Sequence, residues 1–249
     1  MVAKHGHWDA VYEKKATTDV SWYEPHPQKS LELIRRAGIE LIDPIIDVGG
    51  GASFLVDDLI EAGYRDLTVL DISAAVLDKL RERLRSKTSQ VILLHRDVTV
   101  FESERRFALW HDRAVFHFLI ERAERERYLE ALHRALRPLG HLVIATFGPS
   151  GPERCSGLPT MRYDEAALAA ELGSDFKLIE CSRLIHRTPW NAPQQFLYCR
   201  FVRQPRAVRR RPMSERLTLR ALGRMAAPDA EQNLPKAALA QRIVSSPTH

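Results

Sequence analysis

The chain has 249 residues, 45% hydrophobic and 28% charged, the make-up of an ordinary soluble globular protein of one domain with appendages. Its formal charge of +5 is unevenly spread: from Arg203 onward ten basic residues face three acids, which leaves residues 1–202 at −2. That division argues against a nucleic-acid-binding core, and the apolar runs are strand-sized rather than membrane-sized. Met1 to Asp9 lacks the apolar core of a signal peptide, and Cys155, Cys181 and Cys199 are too scattered for a zinc or iron–sulfur site. The expectation is a cytoplasmic protein with reduced cysteines and no metal; His5 and His7 alone do not make a metal site.

Residues 1–29 gather Trp8, Tyr12, Trp22 and Tyr23, with Pro25 and Pro27 breaking the chain, and read as an aromatic lid segment. Ser30 to Ala37 predicts a short helix stopped by Gly38. Pro44, Ile45, Ile46 and Val48 predict a buried strand that runs into Gly49-Gly50-Gly51 and then a helix faced by Leu55, Leu59 and Ala62. Leu67 to Asp71 is a second strand, and Ser73 caps a helix whose inner face is Val76, Leu77, Leu80 and Leu84. Val91 to Leu94 and Phe107 to Trp110 predict strands three and four. A charged helix from about Glu121 to Leu136 is followed by a turn at Arg137-Pro138-Leu139-Gly140 and strand five from His141 to Phe147.

Five strands alternating with helices predict a doubly wound, Rossmann-like α/β sheet. After a long loop and a short helix capped by Asp164, Phe176 to Glu180 and Phe196 to Phe201 have no helix between them and predict an antiparallel pair at the sheet edge. The domain so defined covers 30–203, and the composition of 204–249 predicts a basic, disordered tail.

In such a sheet ligands bind beyond the carboxyl ends of the strands, where Asp47, Asp71 and Asp97 fall. Asp71 follows Asp47 by 24 residues, a spacing that suits a carboxylate accepting from a ribose diol. Phe54 stands where a dinucleotide turn needs its third glycine, and no Gly-Lys-Ser/Thr loop is present. Asp47, two residues before the turn, repels a pyrophosphate and attracts an ammonium group. These residues predict a cofactor with a ribose and an amino-acid moiety but no phosphates.

Asp47-Val48-Gly49-Gly50-Gly51 resembles the first motif of class I S-adenosylmethionine-dependent methyltransferases, Leu70-Asp71-Ile72-Ser73 the second, and Arg96-Asp97-Val98 the third. The turn before strand five resembles that family's Lys/Arg-Pro-Gly-Gly, with Leu139 departing from it. Ser21 to Pro25 and His111 to Leu119 are similar to motifs of a bacterial group within the family, and the resemblance covers roughly residues 8–202. It implies a seven-stranded sheet, mostly parallel with an antiparallel strand at the edge, and S-adenosyl-L-methionine as cofactor. Asp47, Gly49, Gly50 and Gly51 would face its methionine part, Asp71 and Ile72 its ribose, and Asp97 and Val98 its adenine. Trp22 and Tyr23 either lie over the cofactor or simply pack the lid.

His111 is the best candidate for a general base, or else a polar strand-end residue. Arg113 either clamps an anionic acceptor or pairs with Asp112, whereas His117 is read as packing. Arg154 and Cys155, in the loop after strand five, are substrate-side candidates, together with the segment from His186 to Trp190. The function expected is methyl transfer to a small molecule or protein side chain. A nucleic-acid amino group is disfavoured, because Trp110-His111-Asp112-Arg113 stands where an Asn/Asp-Pro-Pro-Tyr/Phe element belongs. The alternative is a non-catalytic binding module whose basic tail docks on nucleic acid or an acidic partner.

Overall fold

The computed structural model describes residues 2–205. The tail expected over 204–249 lies almost wholly outside the described residues. Seven strands form one sheet in the order β3-β2-β1-β4-β5-β9-β8: β1 Ile45–Val48, β2 Leu67–Asp71, β3 Val91–His95, β4 Phe107–Arg113, β5 Leu136–Phe147, β8 Phe176–Arg187 and β9 Pro193–Arg203. β1 to β5 are parallel, and β9 runs antiparallel between β5 and the outermost strand β8. A two-residue hairpin, β6 Arg154–Cys155 with β7 Leu158–Pro159, sits in the loop after β5.

Both faces are covered because the strands are apolar on both sides. All four residues of β1 and all five of β2 are buried. On one face α2 (Gln28–Ala37), α3 (Leu55–Glu61) and α4 (Ala74–Leu84) pack Leu33, Ile34, Leu59, Leu77 and Leu80 against Ile45, Val69 and Leu109. On the other, α5 (Arg122–Ala135) and α6 (Glu165–Leu172) pack Tyr128, Leu132 and Leu168 against Ile46, Trp110 and Ile144. The predicted caps form: Ser73 Oγ accepts from Val76 N at 3.3 Å, and Asp164 Oδ1 from Ala167 N at 2.8 Å. Gly38 ends α2 at φ +66°, the left-handed conformation that favours glycine.

Three local features differ from the sequence expectation. Residues Val2–Lys14 form a helix, α1, where only a lid segment was expected. The turn at 137–140 is absorbed into β5 as an irregularity, since Phe107 pairs with Leu136 but Leu109 with His141, and Leu139 takes φ +61° to bulge outward. The antiparallel pair is roughly twice as long as its apolar centres, because β8 is half-buried or exposed at all but Phe176 and His186 and does not read as a core strand.

A polar network is buried on the α5 face. Tyr128 Oη donates to Asp112 Oδ2 at 2.7 Å and accepts from Trp110 Nε1 at 2.9 Å. Asp112 Oδ1 accepts from Val115 N at 3.0 Å, which sets the start of the loop after β4. Burial pushes the Asp112 carboxyl up to about 6, against the hydrogen bonds from Tyr128 and the loop that favour its charge. Tyr128→Phe leaves two buried groups without partners and should cost about 1–3 kcal/mol. Urea unfolding should show this as a lower midpoint with an unchanged slope; an unshifted midpoint would contradict the network's role.

Candidate functional site

The carboxyl ends of β1, β2, β3 and β4 meet at one rim, where the strand order reverses between β1 and β4. The turn after β1 is built without side chains because none fits. Gly49 has φ +70°, and a Cβ there would stand 2.2 Å from Val115 Cγ2. At Gly50 a Cβ would meet Asp47 Oδ2 at 2.2 Å, and at Gly51 it would meet Val76 Cγ1 at 2.4 Å. Gly49 N donates to Leu70 O at 2.6 Å, which ties the turn to β2.

Two carboxylates support this turn. Asp71, at the end of β2, accepts from Gly51 N at 3.1 Å through Oδ2 and from Ser73 N at 2.9 Å through Oδ1. Burial raises its pKa to about 6 in spite of those amide donors, with the Asp47 charge adding to the rise. Asp47, in mid-β1, is also buried; its Oδ1 accepts from His111 Nδ1 at 2.7 Å, and His111 Nε2 meets Ser30 Oγ of α2 at 2.9 Å. Asp47 Oδ2 has no hydrogen-bond partner among the described residues. A buried carboxylate oxygen left unpaired beneath a bare backbone turn is costly unless a cation or donor completes it.

Beside the turn a cleft opens to solvent, about 770 Å³ when the space at its mouth is included. Gly49, Asp71, Ile72, Asp97, Val98, Trp22 and Arg113 line it. Asp97 Oδ1 is engaged by Thr99 N and Thr99 Oγ1, both at 2.8 Å, which fixes the carboxylate at the rim. Asp47, Gly50 and Gly51 are buried and are not among its lining residues, and Tyr12 and Val20 of the N-terminal segment cluster with Ala52 and Val76 nearby.

Several candidates stand elsewhere. His111 is 1% exposed, faces α2 and does not reach the cleft, so it positions Asp47 instead of meeting a substrate proton. Tyr23 packs against Phe54 at 5.9 Å between ring centroids and is not part of the cleft. Arg154 is exposed and hydrogen-bonds the Gly157 carbonyl of its own hairpin. Cys155 is buried, touches Ser21 Oγ at 3.4 Å and has its thiol pKa pushed up by burial, the opposite of an activated thiol. His117 stacks on Phe147 at 4.3 Å, and burial depresses its pKa to about 3.

Arg113 pairs with Glu24, not with Asp112. Its Nη2 donates to Glu24 Oε1 at 2.8 Å, its Nη1 to Trp22 O at 2.7 Å and its Nε to Tyr198 Oη at 2.9 Å. His186, from the segment expected on the substrate side, holds the same stretch: Nε2 donates to Ser21 O at 2.7 Å, and Nδ1 lies 3.2 Å from Glu24 Oε1. Burial opposes the charge on Glu24, but the hydrogen bond from His186 and the field of Arg113 overcome it and hold its pKa below the usual range. Asp9 Oδ1 meanwhile accepts from Ser73 Oγ at 2.6 Å and anchors α1 at the start of α4.

Trp8, Tyr12, Arg96 and Phe118 also line the cleft and were not singled out from the sequence as site residues. The four-residue spacing of Trp8 and Tyr12 was the available signal, since it places both rings on one face of a helix.

Residues 45–140 match the profile of a family described as a methyltransferase domain. Among curated proteins, the eEF1A lysine and N-terminal methyltransferase of Bos taurus is 25% identical over 140 residues, 55% of this chain and 19% of that protein. Its Mus musculus counterpart is 28% identical over 98 residues, 39% of this chain and 14% of that protein. The chain thus spans less than a fifth of the length of these relatives. Among solved structures, a protein tied to conversion of a disulfide bond into a thioacetal group during echinomycin biosynthesis superposes with a TM-score of 0.66. It is 20% identical, with 88% of this chain and 99% of that one covered. The N-methyltransferase NodS of Bradyrhizobium japonicum, solved with S-adenosylhomocysteine, gives 0.61 at 16% identity, covering 79% and 98%. A Burkholderia thailandensis 1,6-didemethyltoxoflavin N1-methyltransferase gives 0.59 at 21%, covering 82% and 85%. The structural likenesses show the shared class I methyltransferase fold.

Gly49→Ala combines a positive φ with a clash on a stiff β-branched side chain and should cost about 1–3 kcal/mol of stability. Gly157→Ala is its control, with φ +80° but nothing within 4 Å of the added Cβ. Thermal unfolding should place the Gly49 variant clearly below the Gly157 variant; equal melting would mean the turn has room to spare.

Proposed function

We propose that the protein is an S-adenosyl-L-methionine-dependent methyltransferase acting on a small-molecule or protein side-chain acceptor, proceeding from the methyltransferase domain that residues 45–140 match. The observation that carries this reading is the bare glycine turn laid over the orphaned oxygen of Asp47, with Asp71 and Asp97 along one cleft. The donor set fits the cofactor. Asp47 suits its ammonium group, Gly49 to Gly51 its amino-acid backbone, Asp71 with Ile72 its ribose hydroxyls, and Asp97 with Val98 its adenine. S-adenosylmethionine brings a methyl group already activated on a sulfonium.

The chain's own task is then alignment and exclusion of water. Trp22 closes the cleft because Arg113 holds its carbonyl and Glu24, while His186 holds Ser21. Asp71 accepts from the turn and faces the cleft at once, so it couples the turn's shape to the ribose. Among the described residues no histidine, cysteine or lysine lines the cleft, so a protein base there would be one of the carboxylates of Asp71, Asp97 and Glu124. The curated relatives are named for lysine and N-terminal methylation, and NodS and the toxoflavin enzyme for nitrogen methylation; both support an acceptor within the proposed range. The non-catalytic alternative depends on the basic tail, which lies outside the described residues. No helix among the described residues is long and apolar enough to cross a membrane.

Calorimetry should find S-adenosylmethionine binding to the wild type, and Asp71→Asn should weaken it at least about tenfold by removing charge-assisted acceptors. No binding to the wild type would sink the reading. The pH dependence has a definite sign. Ribose hydroxyls favour ionised Asp71, whose pKa in the free protein is about 6, so affinity should be full above that pH and decline as pH falls through it. An affinity that rises on acidification would contradict the assignment of Asp71.

A further inference from the structure

Once the glycine turn, Asp71 and Asp97 are given to the methyl donor, one wall of the cleft remains without a role. Trp8 and Trp22 come from the N-terminal segment and Phe118 from the loop after β4. Trp8 stands T-shaped to Trp22 at 5.7 Å and to Phe118 at 5.1 Å, so the three rings brace one another as a single surface. Carboxylates outnumber cations in the cleft, three to two. Asp71, Asp97 and Glu124 line the same cleft. Of the two cations that do so, Arg113 has its Nε, Nη1 and Nη2 each committed to a protein acceptor and serves as a strut. Arg96 stands beside Asp97 at the opposite end, its Nη1 on the His95 carbonyl at 2.9 Å. Aromatic rings and carboxylates that outnumber the cations disfavour an anion and attract positive charge.

We propose that the Trp8–Trp22–Phe118 wall is the acceptor side of the cleft and that it takes an amine. This rests on the reading of the cleft as a methyl-donor site. The acceptor nitrogen first gives a proton to water or to a cleft carboxylate, since among the described residues no histidine, lysine or cysteine lines the cleft. Its lone pair then forms the N–C bond as the C–S bond of the donor breaks. The bonding pair leaves with sulfur, which becomes a neutral thioether, and the positive charge passes to nitrogen, from which water can take a further proton. Positive charge stays in the cleft throughout the transfer and only changes atom, so one ring surface stabilises it at every stage. A carboxylate acceptor would instead enter as an anion against rings and acids.

Three probes of nearly one shape separate charge from size: choline, its neutral isostere 3,3-dimethylbutan-1-ol, and 3,3-dimethylbutanoate. Titrated into the protein saturated with S-adenosylhomocysteine, choline should bind about five- to tenfold tighter than the alcohol, with the anion weakest. Trp8→Leu should lower that preference well below the wild type's and Trp8→Phe should retain most of it, both still folding cooperatively and still binding S-adenosylhomocysteine. Equal binding of the three probes, or a lead for the anion, overturns the proposal. So does a Trp8→Leu variant that loses S-adenosylmethionine but keeps S-adenosylhomocysteine, because the rings would then face the donor's sulfonium. If S-adenosylhomocysteine does not bind at all, the donor reading fails; the same titrations on the free protein, read by quenching of indole fluorescence, still decide the charge preference of the wall.

Discussion

The site depends on a backbone turn that has no room for side chains. Gly49, Gly50 and Gly51 are pressed between Val115, Asp47 and Val76, and each added Cβ would fall within 2.4 Å of one of them. The crowding is a consequence of the layers. β1 must end beneath the loop that leaves β4, and α4 must start close enough for Ser73 and Gly51 to share the carboxylate of Asp71. The turn therefore lays bare backbone beside the cleft, with its Gly49 and Gly51 amides held by Leu70 O and Asp71 and an acid on either side of it. Asp47 is satisfied on one oxygen only, by a histidine that α2 in turn holds through Ser30. The chain from Ser30 through His111 to Asp47 thus links a helix on the sheet's face to the floor of the site.

The second constraint closes the cleft from above. The N-terminal segment has little core of its own, and it is held by polar contacts to three separate elements. Asp9 docks at the start of α4, Arg113 of β4 grips Trp22 and Glu24, and His186 of β8 grips Ser21 and Glu24. Buried ion pairs of this kind contribute little net stability but fix geometry, because breaking one partner leaves a charge stranded. What they fix here is the placement of Trp8 and Trp22 over the cleft. The antiparallel strands β8 and β9 belong to the same device, since they carry His186 and Tyr198.

Most of the fold is legible in the sequence because its signals are local. The apolar runs at Ile45, Leu67, Val91 and Leu142 are strand-sized and separated by helices with good caps, and Asp47, Asp71 and Asp97 follow them at the rim. The partnerships are not legible. Asp112 and Arg113 are neighbours in the chain but point to opposite faces of β4, so one serves Tyr128 and the other Glu24. His111 looks like a base from its position at the end of a strand, yet its parity turns it toward α2 and away from the cleft. Cys155 and Arg154 sit in a loop that folds back as a hairpin, which buries the thiol and leaves the guanidinium on its own loop. Trp8 and Tyr12 carry a helical spacing, but α1 has almost no amphipathic contrast to announce it.

In the function proposed, one cleft beside the glycine turn takes a sulfonium nucleoside along β1, β2 and β3. A crystal structure of the protein grown with S-adenosylhomocysteine tests it most directly. The amino-acid moiety should lie on Gly49 to Gly51 with its ammonium toward Asp47, the ribose hydroxyls on Asp71 and the adenine beside Asp97 and Val98. A ligand bound elsewhere, or in this cleft with its adenine on the glycine turn, would contradict it.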